Sequence, residues 1–248
     1  MAGAPDDPRR ALLLDLYRAA LTAVDGRRCM RAALATEHDP GPSCILAIGK
    51  AAPGMALGAL DALGNRIERG LVIAPGDAFP PELLAAPHIA CLAGGHPLPD
   101  AQSLAAGKAV REFARTVPRG TRVLLLVSGG ASALAEMPAP GVTLADLRRL
   151  NSWAQTAGAD VVTLNSMRGA LSLIKAGRLP GLFAGADLDG FLISDVPGDD
   201  PAIVGSGLLA APPDRPSAAA WPDWLVELAA RAAPGPATTT VRTITLVA

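Results

Sequence analysis

The sequence is short of several residue types on which sites and folds often depend. Its three cysteines, Cys29, Cys44 and Cys91, are odd in number, scattered and without C-x-x-C spacing. They form no disulfide framework, suit a reducing compartment and read as core or neutral residues. Three histidines, His38, His88 and His96, are too sparse for a zinc cluster, so a metal here would be a hard, oxygen-bound ion such as magnesium. Aromatic residues make up only 3% of the chain, which leaves helix–sheet contacts to small side chains. With 22 Lys plus Arg against 23 Asp plus Glu and a net charge of -1, no electrostatic reason exists to expect nucleic acid or an anionic membrane as partner. No apolar run approaches the ~20 residues that span a bilayer. The opening M-A-G-A-P-D-D-P-R-R has neither the apolar core nor the cleavage site of a signal peptide. These absences predict a soluble, cytoplasmic protein.

What is present is a chain of 248 residues, half of them hydrophobic, enough for one large α/β domain with trimmings. Its organising stretch is Val123 to Leu134, V-L-L-L-V-S-G-G-A-S-A-L. Five β-prone apolar residues end at Ser128-Gly129-Gly130, and the residues from Ala131 to Leu134 open a helix. A buried parallel strand feeding a helix N-terminus, with glycines admitting close approach and Ser128 and Ser132 adding hydroxyls, suits an anion. The alternative is a tight turn whose glycines only avoid a clash.

The other elements follow from periodicity. Pro8 to Val24 reads as an amphipathic helix, with a shorter one to Ala35 and a loop at His38 to Ser43. Cys44 to Ile48 is the first strand, and it runs into Gly49-Lys50 and a helix from Met55 to Leu63. Lys50 sits at a strand's carboxyl end, where its ammonium can neutralise phosphate or remain a solvated lysine. This is no P-loop, since Cys44 stands where the first glycine belongs and Ala51 where Ser or Thr belongs. Strands at Leu71 to Ala74 and Ile89 to Leu92 follow. The second delivers G-G-H-P-L-P-D at Gly94 to Asp100, which fixes His96 on a rigid loop as a ligand contact or a structural histidine. Asp100 caps a helix from Ala101 to Arg115.

Thr143 caps a helix that runs to Ala157 and ends at Gly158. The pattern then predicts a second helix over Val161 to Leu179 carrying Asn165, Arg168, Ser172, Lys175 and Arg178. Arg168, Ser172 and Lys175 would share a face, as an anion-binding stripe or a solvated one. Phe191 to Ser194 is a strand that discharges into Asp195-Val196-Pro197-Gly198-Asp199-Asp200-Pro201. Its three carboxylates suit a magnesium or general-base site at Asp195, Asp199 and Asp200, or a turn rich in Asp for backbone bonding. After a Pro- and Ala-rich linker come a short helix around Trp221 to Ala232 and a closing strand over Thr238 to Val247. Alternating strands and helices indicate a parallel sheet covered on both faces, whose post-strand turns gather along one edge. Lys50, His96, Ser128 to Ser132 and Asp195 to Asp200 would then share a crevice.

These residues resemble the glycerate 2-kinases whose full chains carry a second, C-terminal MOFRL domain. The motifs are I-G-K-A-A at Ile48 to Ala52, G-G-H-P-L-P-D at Gly94 to Asp100 and V-S-G-G-A-S-A-L at Val127 to Leu134. Two more are N-S-M-R-G-A-L-S-L-I-K-A-G-R-L at Asn165 to Leu179 and S-D-V-P-G-D-D-P at Ser194 to Pro201. The resemblance spans roughly residues 10–211, in the family's order. It implies an α/β, Rossmann-like three-layer αβα sandwich with a mainly parallel sheet. Residues 1–211 would be the N-terminal domain, and 212–248 the linker, helix and strand leading to the second domain.

The implied activity is transfer of the γ-phosphoryl group of ATP, with magnesium, to the 2-hydroxyl of D-glycerate or a related hydroxy acid. Lys50 and Asp195 match positions associated with charge stabilisation and catalysis. Gly49, His96, Ser128, Gly129, Gly130, Ser132, Asn165, Arg168, Lys175 and Arg178 would bind nucleotide, phosphate or substrate. Expected partners are the hydroxy acid, a separate subunit carrying the second domain and a second copy of the chain. The chain departs from the family's usual residues at Ala131, which stands for a third glycine and should narrow the turn, at Gly169-Ala170 for Lys-His, at Ala176 for glycine and at Leu208 for proline. The paired loss at Gly169-Ala170 removes two binding groups and favours, as the alternative, a non-catalytic binding or assembly module. Hydroxypyruvate reduction ranks last, because no G-x-G-x-x-G follows any strand.

Overall fold

A computed structural model of the chain describes residues 7–35, 41–212, 221–232 and 241–247. Its strands are β1 (Ser43–Ile48), β2 (Ile67–Ala74), β3 (Ile89–Ala93), β4 (Arg122–Ser128), β5 (Asp187–Ile193) and β6 (Arg242–Val247). They make one six-stranded sheet in the order β3-β2-β1-β4-β5-β6, with every neighbouring pair parallel. All residues of β1 and β4 are buried, as central parallel strands covered on both faces require. The chain winds outward from β1 through β2 to β3, then returns to lay β4 on the other side of β1. Such a reversal is where open α/β sheets place a ligand crevice, here outside the carboxyl ends of β1 and β4.

The helices are α1 (Pro8–Ala23), α2 (Gly26–Leu34), α3 (Ala52–Leu63), α4 (Pro81–Leu84), α5 (Ala101–Arg115), α6 (Ala131–Leu134), α7 (Leu144–Ala157), α8 (Val161–Leu171) and α9 (Asp223–Ala232). They cover both faces of the sheet. Alternate residues of β1 enter opposite cores: Cys44, Leu46 and Ile48 meet Ala106 and Val110 of α5, while Ile45 and Ala47 meet Met30 of α2 and Met55 and Ala59 of α3. A third cluster joins Leu147 and Leu150 of α7, Met167 and Leu171 of α8, and Leu225 and Leu228 of α9. Leu147 and Leu150 of this cluster also line a small cavity beside Ser132. Among the described residues no helix is long and apolar enough to cross a membrane.

Several expectations need correction. The helix over Val161 to Leu179 stops at Leu171, and Ser172 is extended with φ -120° and ψ 143°. The Ser172 hydroxyl donates to Glu136 Oε1 and accepts from the Ile174 and Lys175 backbone N–H groups, so a local turn outcompetes the helix. Arg178 Nη1 then donates to the carbonyls of Gly169 (2.8 Å) and Lys175 (2.9 Å), satisfying acceptors that the helix end leaves open. Arg168, Ser172 and Lys175 therefore do not form a helical stripe. The helix after the Ser-Gly-Gly turn is the four-residue α6, too short to contribute an appreciable dipole. The pattern of α1 is amphipathic, yet none of its residues is buried. Ala131 lies fully buried in the core. The loop residue His38 and the start of the closing strand, 238–240, lie outside the described residues.

Candidate functional site

Two strand-end turns are bonded together at the floor of the crevice. Lys50 N–H donates to the Gly129 carbonyl at 2.9 Å, and Ala51 N–H donates to Ser128 Oγ at 3.0 Å. Gly49, at φ 138°, lies so near Ser128 that a Cβ there would overlap its hydroxyl. Glycine is thus required where β1 leaves the sheet, because two backbones approach with no room between them. Ser128 is buried and serves this junction.

Above that floor, three ionisable side chains converge on Gly129 and Gly130. A Cβ on Gly129 would collide with the Asp195 carboxylate, and one on Gly130 would come within 3.1 Å of His96 Cδ2 and 3.2 Å of Lys50 Cγ. Lys50, His96 and Asp195 are all exposed at the mouth of the crevice. Each follows a different strand: Lys50 follows β1, His96 β3 and Asp195 β5. Their mutual reach shows in His96, which is held below the ordinary histidine range by desolvation and by the Lys50 charge, against an opposing pull from Asp195. At neutral pH His96 is an uncharged imidazole, able to donate from one nitrogen and accept at the other. The loop that carries it is anchored by Asp100, which caps α5 through the Ser103 N–H, while Ser103 Oγ accepts from Gly95 N–H.

The remaining predicted residues divide into two groups. Ser132 Oγ and Ser206 Oγ are 2.7 Å apart, Ser206 Oγ donates to Asn165 Oδ1 at 2.7 Å, and Asn165 Nδ2 donates to the Ile203 carbonyl at 3.0 Å. Asn165 therefore locks the 203–206 turn against Ser132. Lys175 is fully buried and ion-paired with the equally buried Glu136; desolvation lowers its pKa while the Glu136 charge raises it. Arg168, also depressed by desolvation, donates from Nη2 to Asn151 Oδ1. Arg178 Nη1 donates to the backbone carbonyls of Gly169, Ser172 and Lys175.

Glu136 and Asn151 were not legible as site residues, although each left a trace. Glu136 interrupts the apolar run A-L-A-E-M-P-A-P, and Asn151 falls on the apolar stripe of α7 between Leu147 and Ala154, where it is buried.

The three aspartates after β5 separate. Asp195 faces Gly129, Asp200 Oδ1 accepts from the Ala202 N–H at 2.8 Å, and Asp199 has a left-handed backbone at φ 53°. Among the described residues no three His, Cys, Asp or Glu side chains group closely enough to hold a metal ion. The donor set fits a magnesium ion only as the companion of a nucleotide, since such ions are held by one or two carboxylates plus phosphate oxygens and water.

Residues 12–225 match a family described as "Domain of unknown function (DUF4147)". The chain is 33% identical over 186 residues to a D-glycerate 2-kinase of Thermotoga maritima, an alignment that covers 72% of this chain and 40% of the relative. It is 31% identical over 194 residues to a glycerate 2-kinase of Pyrococcus horikoshii, covering 78% and 42%, and 36% identical over 169 residues to a putative hydroxypyruvate reductase of Agrobacterium vitis, covering 67% and 42%. It thus spans less than half the length of these relatives. Among solved structures, a glycerate kinase of Thermotoga maritima superposes with a TM-score of 0.82 at 24% identity, over 96% of this chain and 58% of that one. That likeness reports the fold. The α/β architecture, the matched family model and the relatives agree: this chain belongs to the DUF4147 family, alongside proteins named glycerate kinases.

Proposed function

We propose that this chain carries one wall of a phosphoryl-transfer site that takes ATP and a short hydroxy acid, D-glycerate in the first instance, and phosphorylates the 2-hydroxyl. The observation that carries the reading is the convergence of Lys50, His96 and Asp195 on a glycine floor at the sheet's switch point. Phosphoryl transfer asks a protein mainly for positioning and charge neutralisation, and this arrangement offers both. The Asp195 carboxylate accepts the hydroxyl proton as the substrate oxygen bonds to the γ-phosphorus and the bond to the ADP oxygen breaks. The Lys50 ammonium faces the negative charge spread over the transferring oxygens. Neutral His96 orients the acceptor hydroxyl by a hydrogen bond. Magnesium bound with ATP would add further charge neutralisation, held by phosphate oxygens, water and Asp199 or Asp200, which leaves the Asp195 carboxylate to take the proton.

Because the relatives are more than twice as long as the matched region, the opposing wall belongs on this reading to a second domain or subunit. The test is ATP-dependent phosphorylation of D-glycerate, followed by ADP release, with the chain alone and with a supplied C-terminal domain. Absence of glycerate-dependent ADP release in both mixtures overturns the proposal, and ligand binding without turnover favours the non-catalytic module. The name of the Agrobacterium relatives gives hydride transfer less support here, since the turn after β1 reads G-K-A-A-P-G rather than a dinucleotide fingerprint.

A further inference from the structure

Next to Ser132 lies a small cavity lined by Pro99, Ser132, Glu136, Asn151, Arg168 and Lys175 among others. Its charges do not balance. Two cations, Lys175 and Arg168, face a single carboxylate, and among the described residues Glu136 is the one group of opposite sign acting on them. That carboxylate is already committed. Its Oε2 takes Lys175 Nζ, while Oε1 accepts from Ser172 Oγ at 2.7 Å and from the Met137 N–H at 2.9 Å. Arg168 is left with a neutral partner, the Asn151 amide oxygen, whose orientation is fixed because Asn151 Nδ2 donates to the Leu147 carbonyl at 2.8 Å. A half-buried guanidinium whose side-chain acceptor is a neutral amide oxygen keeps capacity for an anion.

The size of the cavity selects the anion. At about 10 Å³ it admits a water or one carboxylate oxygen and excludes a nucleotide. Its place selects the molecule. Ser132 lies two residues beyond Gly130, and Pro99 three beyond His96, so the lining draws on the same two turns that carry the glycine floor and His96. A short hydroxy acid carries its carboxylate on the carbon next to the one that bears the reacting hydroxyl, so its recognition calls for a cation beside the reacting centre. We infer that Arg168, held by Asn151 beside the Lys175–Glu136 pair, binds the carboxylate of the hydroxy-acid substrate. This rests on the phosphoryl-transfer reading for the identity of the acid and not for the existence of the anion site.

The experiment is calorimetric titration of the full 248-residue chain with D-glycerate, glycerol, inorganic phosphate and ADP. Wild type should bind D-glycerate at least tenfold more tightly than glycerol, and Arg168→Gln should lose that preference while its ADP affinity stays within twofold. Arg168→Lys should keep part of the preference. Equal affinity for glycerate and glycerol in wild type overturns the inference without any variant, as does a preference that survives Arg168→Gln. Phosphate bound more tightly than glycerate, and lost in Arg168→Gln, overturns it in favour of a phosphate subsite. A charge-selective, Arg168-dependent glycerate site in a chain that never transfers phosphate leaves this inference standing and removes the phosphoryl-transfer reading.

Discussion

Gly129 and Asp195 stand so close that a methyl group on the glycine would overlap Oδ2 of the carboxylate. The relationship joins the end of β4 to the turn after β5, neighbours in the sheet. It makes the glycine a condition for where the carboxylate sits. Gly129→Ala must therefore displace Asp195, and a misplacement of about 1 Å in a reacting group costs on the order of 10²-fold in rate. The expected result is a kcat for glycerate phosphorylation reduced by about two orders of magnitude with the melting temperature only modestly lowered. Steady-state kinetics beside a thermal melt checks it, and an unchanged kcat would remove Asp195 from the reaction.

His96 reports on its two charged neighbours. Lys50 pushes its pKa down and Asp195 pulls it up, both behind desolvation. Lys50→Ala should therefore raise the His96 pKa, and Asp195→Asn should lower it further, in an NMR titration of the imidazole. Because the folded value lies below the unfolded one, the unfolded chain binds the proton more readily. The associated stability is present above the unfolded pKa of about 6.5 and is lost as pH falls from there through the folded value. Lys50→Ala should shrink that pH dependence, a change visible in denaturant midpoints between pH 5 and 8. Opposite shifts would mean that the three side chains do not share one crevice.

The buried pair of Lys175 and Glu136 behaves differently from a surface ion pair. Removing one partner strands a charge in the interior, which costs about 3–5 kcal/mol, whereas removing both together is far milder. Lys175→Met should thus destabilise the chain by about that amount in chemical denaturation, and Lys175→Met with Glu136→Gln should recover most of it. If the double variant is as unstable as the single one, packing around Lys175 rather than charge sets its importance.

The elements were legible where one physical rule acted alone. Helix α5 runs over the expected Ala101–Arg115 because Asp100 and Ser103 form a capping box. Helix α7 ends at Ala157 because Gly158 takes the left-handed backbone its apolar stripe announced. Strands β1 and β4 were visible as apolar runs and extend by a residue or two beyond them. The convergence of Lys50, His96, Gly129, Gly130 and Asp195 followed from one topological rule about post-strand turns. What stayed hidden depended on partners distant in sequence. Nothing near residue 172 shows that Ser172 will bond to Glu136, 36 residues earlier, and so leave the helix. Helical spacing therefore places Lys175 on an anion-binding or solvated stripe, whereas its partner 39 residues away draws it into the core.

Gly169 and Ala176 form a last coupled pair, across the turn that Arg178 closes. A Cβ on Gly169 would lie 3.0 Å from the Ala176 methyl, and Ala176 holds a left-handed φ of 52°, a conformation that costs an alanine roughly 1–2 kcal/mol relative to glycine. The Ala176 methyl leaves little room for a second methyl group at position 169. In the native background Gly169→Ala should gain nothing, because crowding cancels the ~0.5–1 kcal/mol that alanine normally gains over glycine in a helix. With Ala176→Gly already in place the same substitution should stabilise by about that amount. A double-mutant cycle in denaturant reads the difference as a coupling energy of about 1 kcal/mol. Strict additivity would show that the two positions do not meet. The consequence for the site is direct: a longer side chain can occupy position 169, one residue from Arg168, only when position 176 gives up its methyl group.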